Sequence, residues 1–289
     1  MKTISYSQYS LWSGCPLAWK LKYVDGHRID DASIHTIFGT AIHETVQTWL
    51  GVLYNQSEMI AKTVYLHDDF KDTLLRLFKE NTTVKEDGEK IFLSDKSTLT
   101  EFYKHGCDIL TYVQNNYKKL FPTANVKLYG VEVPLEVEVR PGVTYVGYID
   151  IITHNTITGK YVLYDLKTSR TGWTQDQKTD PIKVGQLLLY KRFFSQQTGV
   201  PEKDISVEFV ILKRTISENS MYPIPRVSKF EPPNGPPSLN KMWDGFQQFI
   251  GKCFDESGEY INEQAAAPSK SACRWCNFRD RKDLCKFGV

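Results

Sequence analysis

Hydrophobic period divides the chain into a helical first part and a strand-rich second part. Tyr6 to about Tyr23 reads as helix, with Ser5 or Ser7 as its cap and Tyr9, Trp12 and Trp19 among its large residues. Pro16 should bend or break it, since proline removes a donor and crowds the preceding turn. Ile37, Ala41, Ile42, Val46 and Trp49 recur at helical spacing and predict a helix over Ile34 to Tyr54. Two more helices are expected over Asp68 to Glu80 and Lys96 to Leu120. The polar stretch Asn81 to Asp95 between them, with Asp87-Gly88, reads as a loop.

The period changes at about Val126. Val131, Val133, Leu135, Val137 and Val139 alternate with polar residues and Pro134, the pattern of a half-buried strand. Pro141-Gly142 marks a turn, Val143 to Thr153 a second strand, His154-Asn155-Thr156 with Gly159 another turn, and Tyr161 to Leu166 a third strand. Short turns between three strands predict an antiparallel meander. A polar segment, Thr168 to Asp180, leads to a helix opened by Pro181 and running to about Gln197. A strand over Ile205 to Leu212, a Pro/Gly-rich linker over Glu231 to Pro237, a helix over Leu239 to about Phe254 and a Cys-rich tail complete the chain.

Carboxylates fall at the strand ends. Asp150 follows Gly147-Tyr148-Ile149, and Asp165-Leu166-Lys167 ends the next strand. Period two puts Asp165 and Lys167 on one face, and antiparallel pairing can bring Asp150 near them. Two converging carboxylates make a hard-cation site, and an adjacent ammonium can orient water and offset developing negative charge. Strand-end Asp and Lys are also ordinary solvated residues, so the short motif alone carries little. Gln186 and Tyr190 are i and i+4 on the following helix and share a face. They form either a polar helix edge or a pair reaching a nucleic-acid strand or the lysine. His43 is either a satisfied helix residue or an imidazole that completes the metal site and favours Mn²⁺-like ions. The small Gly39 and Ala41 would let its helix pack closely on the sheet.

Composition sharpens this picture at one point. In 289 residues, 36 Lys and Arg nearly balance 34 Asp and Glu, which excludes a polybasic binder but not a local basic groove. Hydrophobic content of 41% supports a sizeable core in one large domain or two intimate ones. No apolar run is long enough for a membrane span, and Met1 to Ser13 lacks a signal-peptide core, so a reducing, cytoplasmic setting is expected. The six cysteines then need another role than disulfides. Cys273, Cys276 and Cys285 crowd the end of the chain, and Cys15 before Pro16 is the best fourth ligand for a Cys₄ site, either an iron–sulphur cluster or Zn²⁺. Cys107 and Cys253 read as buried small hydrophobes. The tail is also basic, with Trp275 and Phe278 interleaved. Those aromatics either stack on a single strand or shield the cysteine site.

These residues together resemble the RecB-like, iron–sulphur branch of the PD-(D/E)XK nuclease superfamily, including CRISPR-associated and phage RecB-like exonucleases and the nuclease domain of AddB. The likeness rests on Cys15-Pro16, Gly39 to His43, Gly147 to Asp150, Asp165 to Lys167, Gln186 to Tyr190 and the three late cysteines, in that order. It implies an α/β (α+β) fold with a restriction-endonuclease-like αβββαβ core over 126–213. A mainly helical part would cover 1–125 and a C-terminal helix with an iron–sulphur tail 214–289, all in one nuclease domain. It implies Mg²⁺ or Mn²⁺ on His43, Asp150, Asp165 and the Leu166 carbonyl, with Lys167, Gln186 and Tyr190 completing the catalytic set. A [4Fe–4S] cluster would sit on Cys15, Cys273, Cys276 and Cys285, with Zn²⁺ as the alternative. The implied activity is exonucleolysis of DNA, preferably of single-stranded ends, in recombination, repair or replication. The third motif carries Asp where Glu is also frequent, and the eight-residue gap before Cys285 is longer than in some members. No Gly-x-x-x-x-Gly-Lys-Ser/Thr motif occurs, which implies a stand-alone nuclease. Rival readings are a spacer-processing nuclease working with a CRISPR integrase, or a non-catalytic DNA-binding scaffold. Residues 55–100 would offer a partner surface in a recombination or CRISPR complex.

Overall fold

The computed structural model describes residues 1–27, 32–84, 90–217 and 222–288. Strand β1 (Lys2–Ile4) leads into α1 (Tyr6–Gly14), α2 (Pro16–Trp19) and a π-helical turn at Lys20–Val24. The expected break at Pro16 is present: Cys15 is extended, with φ −161°, and Pro16 starts the new helix where its missing N–H has no cost. Helix α3 (Ile34–Asn55) is capped by Ser33 and Thr36 in a reciprocal capping box. Helices α4 (Glu58–Thr63) and α5 (Leu66–Glu80) follow. The expected loop contains a short hairpin, β2 (Thr83–Val84) and β3 (Lys90–Ile91), while Asp87-Gly88 lies outside the described residues. Helix α6 (Lys96–Leu120) then brings the chain to the sheet.

Strands β4 (Val126–Arg140), β5 (Val143–Asn155) and β6 (Tyr161–Ser169) form the antiparallel meander. Gly142 has φ +72°, a conformation that the tight β4–β5 turn requires and glycine adopts without strain. Within the polar segment after β6 lies a short helix, α7 (Gln175–Thr179), with its own capping box. Asp180 caps α8 (Pro181–Thr198), and β7 (Ile205–Lys213) returns parallel to β6. Strand β8 (Val227–Phe230), α9 (Pro236–Cys253) and α10 (Lys270–Arg274) follow. Strands β1 and β8 and helix α4 are too short for hydrophobic period to reveal, and neighbours in space define them.

The six-stranded sheet runs β1-β5-β6-β7-β8, with β4 on the other edge of β5. Core residues divide between its faces. Leu163, Phe209 and Ile211 pack with α1, α8 and α9 residues such as Tyr9, Phe193 and Phe246. Tyr164, Leu166, Val210 and Leu212 pack with α3, α5 and α6 residues such as Phe38, Phe70 and Ile109. Burying large side chains on both faces supplies the main driving force for this layering.

One edge of β5 is shared by two short partners. Strand β1 pairs with Val143 to Tyr145, and β6 pairs with Ile151 to His154. Residues 146 to 150 between them have no partner on that edge among the described strands. This gap in the ladder is where the polar side chains gather.

Candidate active site

The β5–β6 register ends at Ile151 opposite Tyr164. One step further, Asp150 and Asp165 would face each other, but the strands splay instead. Asp150 Oδ2 accepts a hydrogen bond from the Leu166 main-chain N–H at 2.6 Å. Asp165 is almost fully buried, and the Lys167 ammonium donates to its Oδ1 at 3.0 Å. Lys167 also donates to Gln186 Oε1 at 2.9 Å, and Gln186 Nε2 donates to Tyr190 Oη at 2.9 Å. The i, i+4 pair on α8 therefore reaches the lysine, not a solvent edge.

Helix α3 approaches from the opposite face. His43 Nδ1 lies 3.6 Å from Asp150 Oδ2. Gly39, one turn earlier, faces the end of β6: a Cβ there would sit 3.4 Å from Thr168 Oγ1, an ordinary contact. Gln47, one turn later and buried, donates to Glu132 Oε1 and to the Asp150 carbonyl at 3.1 Å. Glu132 has φ +46°, an uncommon conformation for a non-glycine residue, and lines the same cavity as Asp150 and His43. Gln47 and Glu132 escaped the sequence reading. Gln47 carried a signal, its i+4 spacing from His43. Glu132 carried none, because it sits among the polar positions of an alternating strand.

Burial dominates the electrostatics. It raises the carboxyl pKa of Asp150 to about 6, with the Lys167 charge and the Leu166 N–H opposing and Glu132 adding to the rise. Asp165 is likewise raised to about 6 by burial, against Lys167 and with Asp150. Burial lowers His43 to about 4, so its imidazole is neutral near pH 7. For Lys167, burial pulls downward, yet Asp165 and Asp150 outweigh it and keep the ammonium charged. Two buried like charges thus face one cation.

This charge balance suits a further positive ion. Asp165 Oδ2 is buried and receives no directed hydrogen bond, although the Lys167 ammonium lies 2.9 Å away. Among the described residues, no three His, Cys, Asp or Glu side chains already form a closed ion cage. The donors nearby are two carboxylates and a neutral imidazole, with the Leu166 main chain beside it. That set fits Mg²⁺ or Mn²⁺.

The proposed cysteine ligands lie in a separate place. Cys15, Cys273, Cys276 and Cys285 line one cavity of about 20 Å³, and the six cysteines form no disulfide. Burial raises the Cys276 thiol pKa, and the other three cysteines add to the rise. Cys15 Sγ accepts from the Ala267 N–H at 3.4 Å, and the Leu17 N–H donates to the Ala265 carbonyl at 3.2 Å, so both ends of the chain are joined here. Cys253 is buried as expected, whereas Cys107 is only partly covered. Of the tail aromatics, Phe278 is buried beside Ala18 and Leu21, whereas Trp275 is 82% exposed. One shields and the other does not.

Among solved structures, the fold is similar to one described as a "putative exonuclease" from Eubacterium rectale. It has 14% identity and a TM-score of 0.48, over 86% of this chain and 78% of that one. No curated protein matches. Among the described residues, no helix is long and apolar enough to cross a membrane. The model of the PD-(D/E)XK nuclease superfamily matches residues 3–281, nearly the whole chain, a span that includes His43, Asp150, Asp165, Lys167, Gln186 and Tyr190, and the chain belongs to that superfamily of nucleases.

Proposed function

We propose that this nuclease is a divalent-metal-dependent exonuclease acting on single-stranded ends of DNA. The observation that carries the reading is the meeting of Asp150, Asp165 and Lys167 where β5 and β6 part. His43, Asp150, Asp165 and the Leu166 carbonyl would hold Mg²⁺ or Mn²⁺, as is typical of the superfamily. When bound, such an ion polarises a phosphoryl oxygen and lowers the pKa of a water.

The chain's own groups supply the rest. Lys167, held between Asp165 and Gln186, presents an ammonium that orients the attacking water and offsets charge developing on phosphate. Tyr190 fixes the Gln186 amide and acts through it. The low pKa of His43 keeps its lone pair available near neutral pH. A groove of about 1230 Å³ gives a strand access, lined by hydroxyls of Thr3, Ser7, Thr36 and Thr40. The exonucleolytic mode and the preference for single strands follow the RecB-like resemblance.

Cys15, Cys273, Cys276 and Cys285 would carry a [4Fe–4S] cluster that ties the two ends of the chain together. Their shared cavity supports this. Anaerobic purification should give visible absorption with iron and sulfide, whereas a colourless protein with one zinc would overturn the cluster.

Digestion of single-stranded DNA labelled at either the 5′ or the 3′ end tests the activity. Short products should appear with Mg²⁺ or Mn²⁺ and not in EDTA. Equal digestion in EDTA, or full activity in Asp165→Ala, would sink the proposal.

A further inference from the structure

Two aromatic side chains stand exposed along the approach to Lys167. Tyr148 is 55% exposed and lines the larger cavity. It precedes Asp150 by two residues on β5, so both point to the same face. Trp275 is 82% exposed and lines a second cavity of about 580 Å³. The two cavities share Tyr6, Ser7, Lys167, Thr168 and Gln186. They are therefore one groove whose junction is the lysine, with Tyr148 only in the first part and Trp275 only in the second.

We infer that Trp275 and Tyr148 are base-stacking platforms on either side of Lys167, so that single-stranded DNA crosses the site with an aromatic contact before and after the cleaved phosphate. The inference rests on the nuclease reading above and deepens it. The Arg274 guanidinium lies 5.2 Å from the Trp275 ring centroid and occupies one face, while the high exposure leaves the other open. Trp173, in the same part of the groove, has the Lys183 ammonium 5.8 Å from its ring, a charge placed for phosphate. Open rings beside cations suit a single strand, whose bases stack while its backbone pairs with charge. Cys15 and Cys276 line both this groove and the four-cysteine cavity, so the cysteine element forms part of the groove wall.

Fluorescence anisotropy of a labelled oligothymidylate in EDTA, where cleavage is absent, tests the platforms. Trp275→Ala and Tyr148→Ala should each weaken binding about 5- to 100-fold, the usual range for losing one stacked base. Trp275→Phe should stay within about threefold of the parent, since it keeps a π-face. An abasic oligonucleotide should bind the parent more weakly than the intact strand, and should bind Trp275→Ala with a smaller further loss. The abasic comparison uses unaltered protein and decides the matter even if a variant folds poorly. Equal binding of abasic and intact strands by the parent, or alanine variants that bind like the parent, would overturn the inference. Asp165→Asn separates the two levels. Its loss of cleavage without loss of binding leaves the nuclease reading standing whatever the platforms do, and its retention of cleavage sinks that reading while the stacking result stands.

Discussion

The sheet centre and the cysteine element are held in different ways. At the centre, the polar groups sit on two strands and two helices whose own hydrogen bonds and apolar faces fix them. Asp150, Asp165 and Lys167 are placed by β5 and β6, His43 by α3 and Gln186 by α8. The cysteine element has short turns and a small core of Ala18, Leu21 and Phe278. Its Cys15 comes from a helix break near residue 15, and its partners lie some 260 positions later. The first region is organised by the same forces as the fold and tolerates two carboxyl groups whose pKa burial raises. The second, on the reading proposed above, would gain much of its order from a group joining the thiols. Chemistry is therefore expected to fail at one place and stability at the other.

The strongest way to break this division is Asp165→Ala. Cleavage should fall about 10³-fold, because a charge-stabilising centre loses its buried ligand. The melting temperature should not fall, and a cleavage assay paired with a thermal melt checks both. Lys167→Ala should cost about 10²-fold in kcat with metal affinity retained, as measured by isothermal titration of Mn²⁺. Gln186→Ala should cost roughly 10-fold, since it orients the lysine and does not itself meet substrate. Rescue by Gln186→Glu, which keeps an acceptor for the ammonium, would support positioning, and no rescue would argue against it.

The stability side gives smaller effects. Cys276→Ser should lower the melting temperature of the holo-protein by roughly 4–8 °C, about 2 kcal/mol for a chain of this size, as the join between the chain ends is lost. Coincident melts of variant and parent would erase the contrast between the regions. In EDTA, Asp165→Asn should melt roughly 2–4 °C above the parent at pH 7.5. The sign follows from a folded pKa of about 6 against an ordinary 3.8. The parent's carboxyl contributes fully below its unfolded pKa, and that contribution is lost as pH rises through about 6. The two melts should therefore converge near pH 4, and a difference that grew on acidification would contradict the burial account.

Much of the fold was legible in the sequence because local rules agreed with the tertiary outcome. The period-two run after Val126, the turn at Gly142 and the break at Pro16 all appear where periodicity and turn chemistry put them. The spacing of the motif residues at the centre was legible, but not their place in the strands: the carboxylates were expected at strand ends, whereas Asp150 lies inside β5 and Asp165 and Lys167 inside β6, because β4 pairs β5 as far as Asn155 and β7 pairs β6 as far as Ser169. Glu132 was not legible, because nothing in an alternating strand marks the one polar residue that turns to φ +46° and into the cavity. Nor could the tail show which of its two aromatics was buried.

The sequence by itself determined the types of the long elements, the strand order of the meander and the set of charged residues available for chemistry, because these depend on local period and spacing. Only the tertiary structure decided that β1 and β6 share one edge of β5 and leave a gap there. It decided too that Gln186 faces Lys167, and that Trp275 stands open beside the groove while Phe278 is buried. These outcomes depend on long-range pairing and on competition for buried space, which no stretch of neighbouring residues encodes.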